Sequence, residues 1–202
     1  MKINNGYESH RFVLEHVVKN LKNKSVLELG CGDYSTKLIH DILDNRNSKI
    51  TSIDTDLAWL QKYLYLKNDY HELIYWDINK LNEFYDNDTH EWGLVFVDTA
   101  TWDSRIAAIN KYRESADFLI LHDCDYYANS NTIGKTIKPV NQKENDMGIR
   151  DYGKEMFKYW LEYSIEDWAS YSSWLPPTLL ASNKYPLNDI KIDNMIITNK
   201  SN

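Results

Sequence analysis

The chain has 202 residues, 43% of them hydrophobic and 13% aromatic, which suits one compact domain with a sizeable core. A net charge of −7 argues against a protein that tracks nucleic-acid phosphates, because that affinity comes from clustered Lys and Arg. Two cysteines, Cys31 and Cys124, are too few for a disulfide framework and read as buried, reduced thiols.

Phe12 to Leu21 spaces its apolar residues helically and leads into the strand "SVLEL". A glycine turn, "GCGDYS", then opens the helix Thr36–Leu43. After the polar turn "DNRNS" comes a strand, "KITSID", a helix over Ala58–Leu66, and a short strand, "HELIYWD". Gly93–Asp98 and Asp117–Asp123 are continuous apolar runs that end in acids, the mark of central strands buried on both faces. Between them Ser104–Tyr112 reads as a helix. Strands alternating with helices imply right-handed βαβ units, with ligands gathering at the carboxyl ends of the strands.

Beyond Asp123 the pattern changes. Residues 126–155 are polar and read as a long loop, of a length that is usually functional or disordered. "MFKYWLEYS" and "PPTLLASN" read as two further strands, separated by an aromatic-rich run containing Trp168, Tyr171 and Trp174. The expected fold is therefore α/β, a doubly wound Rossmann-like sheet of seven strands, mostly parallel, with an antiparallel C-terminal edge pair. A single domain over residues 1–202 is expected, with a ligand-binding core at 1–125 and a lid and acceptor wall at 126–202. No apolar stretch reaches the ~20 residues of a membrane span, and "MKINNGYESHRF" has no signal-peptide core, so the expected location is cytoplasmic.

The turn after the first strand carries the chemistry. Gly30 and Gly32 let a ligand approach the backbone, and the following helix offers free N–H groups. A dinucleotide fingerprint requires a third glycine, but Ser35 stands there. Glu28, just ahead of the turn, would repel a pyrophosphate. A cationic, hydroxyl-bearing ligand such as S-adenosylmethionine (SAM) would not be repelled.

At these residues the chain resembles the class I SAM-dependent methyltransferases, whose first motif is acid-x-Gly-x-Gly, and the resemblance spans roughly residues 20–125. It implies that Glu28, Gly30, Gly32 and Ser35 hold the amino-acid end of SAM. Asp54 would take the ribose hydroxyls, Asp77 the adenine amino group with Trp76 beside the ring, and Asp98 would sit next to the methyl. S-adenosylhomocysteine (SAH) would be the product. Taken alone, an acid at a strand end is more often a turn former or a cap, and Ser35-Thr36 is ordinary at a helix start.

A narrower resemblance rests on "VFVDTATWDSR" and "ADFLILHDCD", which look like a subgroup that O-methylates small polar acceptors, sugars included. It implies a small-molecule or glycan acceptor, with a deoxyhexose such as rhamnose as the first candidate, and it allows the chain to be one domain of a larger glycan-synthesis protein. Metal-assisted members carry Asp-Gly-Asp-His after the fourth strand; here the stretch is "DTATWD". A divalent metal is thus possible but the less expected case; Asp98, Asp123 and Asp125 could gather one through oxygen ligands. Without a metal, an attacking hydroxyl needs a base, and Asp98 or His122 could serve. Arg105 is expected to orient a carboxylate such as Asp98. His10, His16, His40, His71 and His90 belong to no visible constellation. Two alternatives stay open: methylation of nitrogen or oxygen on another small molecule or a protein, and a SAM-binding domain without catalysis. No nucleic-acid partner is expected.

Overall fold

The computed structural model describes residues 8–22, 24–44, 48–124, 149–166 and 176–202. The chain runs α1 (Arg11–Asn20), β1 (Val26–Leu29), α2 (Thr36–Leu43), β2 (Ile50–Asp54), α3 (Leu57–Leu60), β3 (His71–Tyr75), α4 (Leu81–Asn87), β4 (Leu94–Val97), α5 (Trp102–Tyr112), β5 (Phe118–Leu121), α6 (Ile149–Met156), β6 (Tyr159–Ile165), β7 (Thr178–Ser182) and β8 (Met195–Lys200). A 3₁₀ segment, Gln61–Leu66, continues α3, so the helical reading of that stretch holds with a tighter second half.

The strands form one sheet in the order β3-β2-β1-β4-β5-β7-β6-β8. The first five are parallel, and β7, β6 and β8 are antiparallel to their neighbours. The winding reverses between β1 and β4, and a crevice opens at such a switch point beyond the strand ends.

Alternation along the strands builds two cores. Leu27, Leu29, Val95 and Val97 pack with Tyr85, Ile109 and Tyr112 of α4 and α5. Val26, Leu94 and Phe96 pack on the other face with Leu14, Val18 and Ile39 of α1 and α2. Burying each such aliphatic side chain contributes about 1.5–3 kcal/mol, which leaves β1 and β4 rigidly placed under the crevice.

Three sequence expectations need correction. The sheet has eight strands rather than seven, because "MIITNK" adds β8 at the outer edge of β6. The expected antiparallel pair is present as β6 and β7, with β7 against β5, and β8 extends it to three C-terminal strands. A helix, α4, also lies between β3 and β4, where a crossover from the sheet edge back to its centre requires one. The long loop read over 126–155 ends in α6, which lies so close to the sheet that a Cβ at Gly153 would stand 3.0 Å from Leu121 and Leu179. The rest of that loop lies outside the described residues, as do Asp125, Trp168, Tyr171 and Trp174. Among the described residues no helix is long and apolar enough to cross a membrane.

Candidate active site

The β1–α2 turn is shaped by one close approach. Gly30 has φ +96°, and a Cβ there would lie 2.3 Å from the Asp98 carbonyl oxygen. Only glycine fits, on both backbone angle and space. The gap brings the ends of β1 and β4 together, with Asp98 N donating to Leu29 O at 2.8 Å.

Asp54 ends β2 beside this turn. Its Oδ2 accepts from Cys31 N at 2.8 Å and its Oδ1 from Asp56 N at 2.8 Å. A carboxylate has about four lone-pair sites, so two remain for a ligand. Gly30, Cys31, Asp54, Trp59, Leu81 and Asp98 line a cavity of about 240 Å³. A second cavity, of about 510 Å³, adjoins it and is lined by His10, Gly32, Tyr34, Trp59, Asp98 and His122 among others. Cys31, Trp59 and Asp98 are common to both. The Trp59 indole is fixed by Nε1 donating to Cys31 O at 2.7 Å and by Lys62 Nζ lying 3.2 Å from its ring centre.

Asp98 and His122 end adjacent strands and meet. His122 Nδ1 stands 3.2 Å from Asp98 Oδ2, a charge contact without hydrogen-bond alignment. Its Nε2 lies 3.2 Å from Asp123 Oδ1 and 3.2 Å from Ser9 Oγ. Arg105 clamps the group: Nη2 donates to Asp98 Oδ1 at 2.8 Å, Nη1 to His122 O at 2.7 Å and Nε to Thr99 O at 2.8 Å. Asp123 has φ +52°, a left-handed conformation that Asp tolerates better than most residues and that often marks a functional site.

The electrostatics follow from this packing. Burial works against the Asp98 carboxylate, but His122 and Arg105 outweigh it and hold the group well below the ordinary range. Burial pushes His122 down, while Asp98 and Asp123 more than offset it and raise the imidazole above its ordinary value. Burial and the nearby Asp98 charge raise Asp123, against the pull of His122. One ligand atom from each of Asp98, His122 and Asp123 lies within 4.8 Å of the others. Two carboxylates and an imidazole suit a divalent ion with mixed oxygen and nitrogen preference better than magnesium. A proton on His122 balances the same charges.

The structure separates the sequence candidates. Gly30, Asp54 and Asp98 line the smaller cavity, and Gly32, Asp98 and His122 the larger. Glu28 is fully buried beneath the turn, and Ser35 is buried with Oγ unaligned to any partner. The neighbouring Thr36 makes the bonds instead, accepting from Gly32 N and donating to Glu28. Asp77 caps the short turn at Asn79, and Trp76 Nε1 donates to Lys80 O. Neither lines either cavity; Trp59 and Leu81 do.

Sequence reasoning gave His10 only slight weight, and on the cofactor side. It is 3% exposed, neither ring nitrogen makes an aligned hydrogen bond, and its ring stands edge-on 4.3 Å from that of His122. Burial and His122 push it well below the ordinary imidazole range, so it is neutral. Its only signal in the sequence is its place just ahead of α1, which the fold directs under the crevice.

No protein-family model matches the chain, and no curated protein matches it by sequence. Solved structures match in shape. A candidate rRNA-methylase from Clostridium thermocellum superposes with a TM-score of 0.55 at 15% identity, over 89% of this chain and 96% of that one. WbdD gives 0.56 at 16% identity, over 88% of this chain and 41% of WbdD. A candidate O-methyltransferase from Klebsiella pneumoniae gives 0.50 at 14%, over 90% and 82%. This chain thus spans less than half the length of WbdD. The likeness is one of fold: a Rossmann-like methyltransferase sheet, mostly parallel with antiparallel C-terminal strands.

Proposed function

We propose that the chain is a SAM-dependent O-methyltransferase that acts on a hydroxyl of a sugar or glycan, with rhamnose-type deoxyhexoses as the first acceptors to try. The observation that carries this reading is the meeting of Asp98 and His122 where the two cavities join, on a methyltransferase fold.

The residues present fit SAM. The glycine turn leaves room for a ligand that a Cβ at Gly30 would deny, and Asp54 keeps two lone-pair sites for the ribose hydroxyls. When bound, SAM supplies an electrophilic methyl group on sulfur and leaves as SAH. The chain does the rest. Asp54 and the turn hold the adenosine side in the smaller cavity. Trp59 offers a flat apolar face shared by both cavities, which suits a sugar's C–H face on the larger side. When an acceptor hydroxyl is methylated, its proton would pass to the Asp98–His122 pair. Arg105 keeps Asp98 ionised and aimed, and Asp98 in turn fixes the imidazole. A neutral His122, or Asp98 itself, receives the proton. Positioning supplies much of the acceleration, and the base contributes a further ~10²–10⁴-fold. Asp98, His122 and Asp123 would hold a divalent ion if one takes part, and it would lower the pKa of the hydroxyl.

The test is Asp98→Asn, with binding and turnover measured separately. SAH affinity should stay within a few-fold of the parent, and turnover should fall by ~10²–10⁴-fold. Full turnover in Asp98→Asn would remove it from the proton path and leave His122.

A further inference from the structure

The glycine turn stands on a row of polar side chains that runs through the sheet from its outer edge. Tyr70 Oη lies 2.9 Å from His40 Nε2, and His40 Nδ1 lies 3.0 Å from His71 Nδ1. His71 Nε2 is 2.9 Å from Ser52 Oγ, and Ser52 Oγ donates to Glu28 Oε2 at 2.6 Å. Glu28 Oε1 accepts from Thr36 Oγ1 at 3.0 Å, and Thr36 Oγ1 accepts from Gly32 N at 2.9 Å. His71, Ser52, Glu28 and Thr36 are all fully buried, whereas Tyr70 and His40 are half-buried and reach solvent. Glu28 lines neither cavity. It acts on a ligand only through the turn above it.

Hydrogen counting sets the direction of every bond. An ionised Glu28 only accepts, so Ser52 donates to it and must accept from His71 Nε2–H. A neutral His71 then presents a bare Nδ1, which accepts from His40 Nδ1–H, and His40 Nε2 accepts from Tyr70. All donors point towards Glu28. One proton entering from water at Tyr70 reverses each bond in turn, and the row ends with Glu28 protonated and donating to Ser52. No group other than the carboxyl changes its charge.

We propose that this row is a proton path from the surface to Glu28, and that Glu28 is a positioning residue whose charge tunes how tightly the turn holds a cationic cofactor. The inference rests on the SAM reading above. An ionised Glu28 under the turn favours SAM, which carries a net positive charge through its sulfonium, over SAH, which does not. The groups facing Glu28 are Ser52 and Asp54 of β2, Cys31 of the turn, Ser35 and Thr36 of α2, and Tyr63 of the segment after α3. Around the outer end, His40 faces Lys37, Asp41 and Asp44, and Tyr70 faces Asn68 and the same two acids. Burial, aided by the Asp54 charge, raises Glu28 to about 7 against the nearby Ser35 hydroxyl and its hydrogen bonds from Ser52 and Thr36. Burial and the neighbouring His40 lower His71 to about 4. A neutral His71 can pass a proton in either direction.

Calorimetric titration of the full chain with SAM and with SAH at pH 6 and pH 8.5 tests this. SAM affinity should rise by about fivefold or more at the higher pH, with a smaller change for SAH. In Glu28→Gln the SAM change should shrink to about that of SAH. A purely structural role would instead weaken SAM equally at both pH values. Should Glu28→Gln fail to fold, the carbon-13 carboxyl resonance of Glu28 in the parent should titrate near neutrality and move upward in Ser52→Ala. A Glu28 carboxyl titrating in the ordinary range, or an unchanged SAM slope in Glu28→Gln, would overturn the proposal and leave the cofactor reading intact. No SAM or SAH binding to the parent at either pH would overturn both.

Discussion

Asp54 and His10 show how differently two buried polar residues can be satisfied. Asp54 already accepts two backbone N–H bonds, and in the proposed SAM site its remaining lone-pair sites would take the ribose hydroxyls. Losing two charge-assisted bonds of ~1.5–3 kcal/mol each, Asp54→Ala should bind SAH weaker by tens-fold or more, measured by calorimetry. Unchanged affinity would move the adenosine elsewhere. His10 makes no aligned bond although it is buried, and a buried unsatisfied imidazole calls for a partner. If the larger cavity takes the acceptor as proposed, an acceptor hydroxyl would be that partner. His10→Ala should therefore raise the acceptor KM several-fold and leave SAH affinity alone; the reverse pattern would place His10 on the cofactor.

At the scale of elements, β1 and the turn after it were largely legible, because Gly30 and Gly32 follow an apolar run and an acid. Gly30→Ala should cost more than about 3 kcal/mol, since the Asp98 carbonyl blocks its Cβ, and should lower Tm by roughly 6–12 °C. A Tm within a degree of the parent would contradict the close approach. What was not legible is which side of a strand end faces the crevice. Trp76-Asp77 and Trp59 are equally plausible by spacing, and only the packing of β3 and α3 decides that Trp59 faces the cavities. The strand β8 was missed because its apolar run, Met195–Ile197, is brief and most of the strand is exposed at the sheet edge. The network under the turn was invisible for another reason: His40, His71, Ser52 and Glu28 come from four elements. Glu28 also makes stability depend on pH. Its folded value, about 7, lies above the unfolded value of ~4.3, so the fold binds the extra proton and is most stabilised below that unfolded value. Stability should fall by up to about 4 kcal/mol as pH rises from about 4.3 to 7. Glu28→Gln should flatten that slope in denaturant titrations, and an unaltered slope would show that another group is responsible.

For the molecule as a whole, the doubly wound, mostly parallel sheet followed from the alternation of apolar runs and helical spacings, because βαβ units admit few topologies, whereas the strand order and the switch between β1 and β4 came from the structure. The larger cavity was not legible either, since its lining includes His10, Tyr34 and His122, which are far apart in the chain. Metal dependence separates two uses of one cluster. If Asp98, His122 and Asp123 work through a proton, EDTA should leave turnover unchanged; loss with EDTA and recovery with a divalent ion would assign the cluster to a metal. The measurement that bears most directly on the central claim is methyl transfer itself. The chain is incubated with methyl-labelled SAM and a panel of rhamnosides, other hexosides, amines and RNA, and the products are read by mass spectrometry. The account expects the label on a sugar hydroxyl, SAH formed in equal amount, and no product with Asp98→Asn. Label on an amine or on RNA, or SAM bound with no transfer to any sugar, would contradict it.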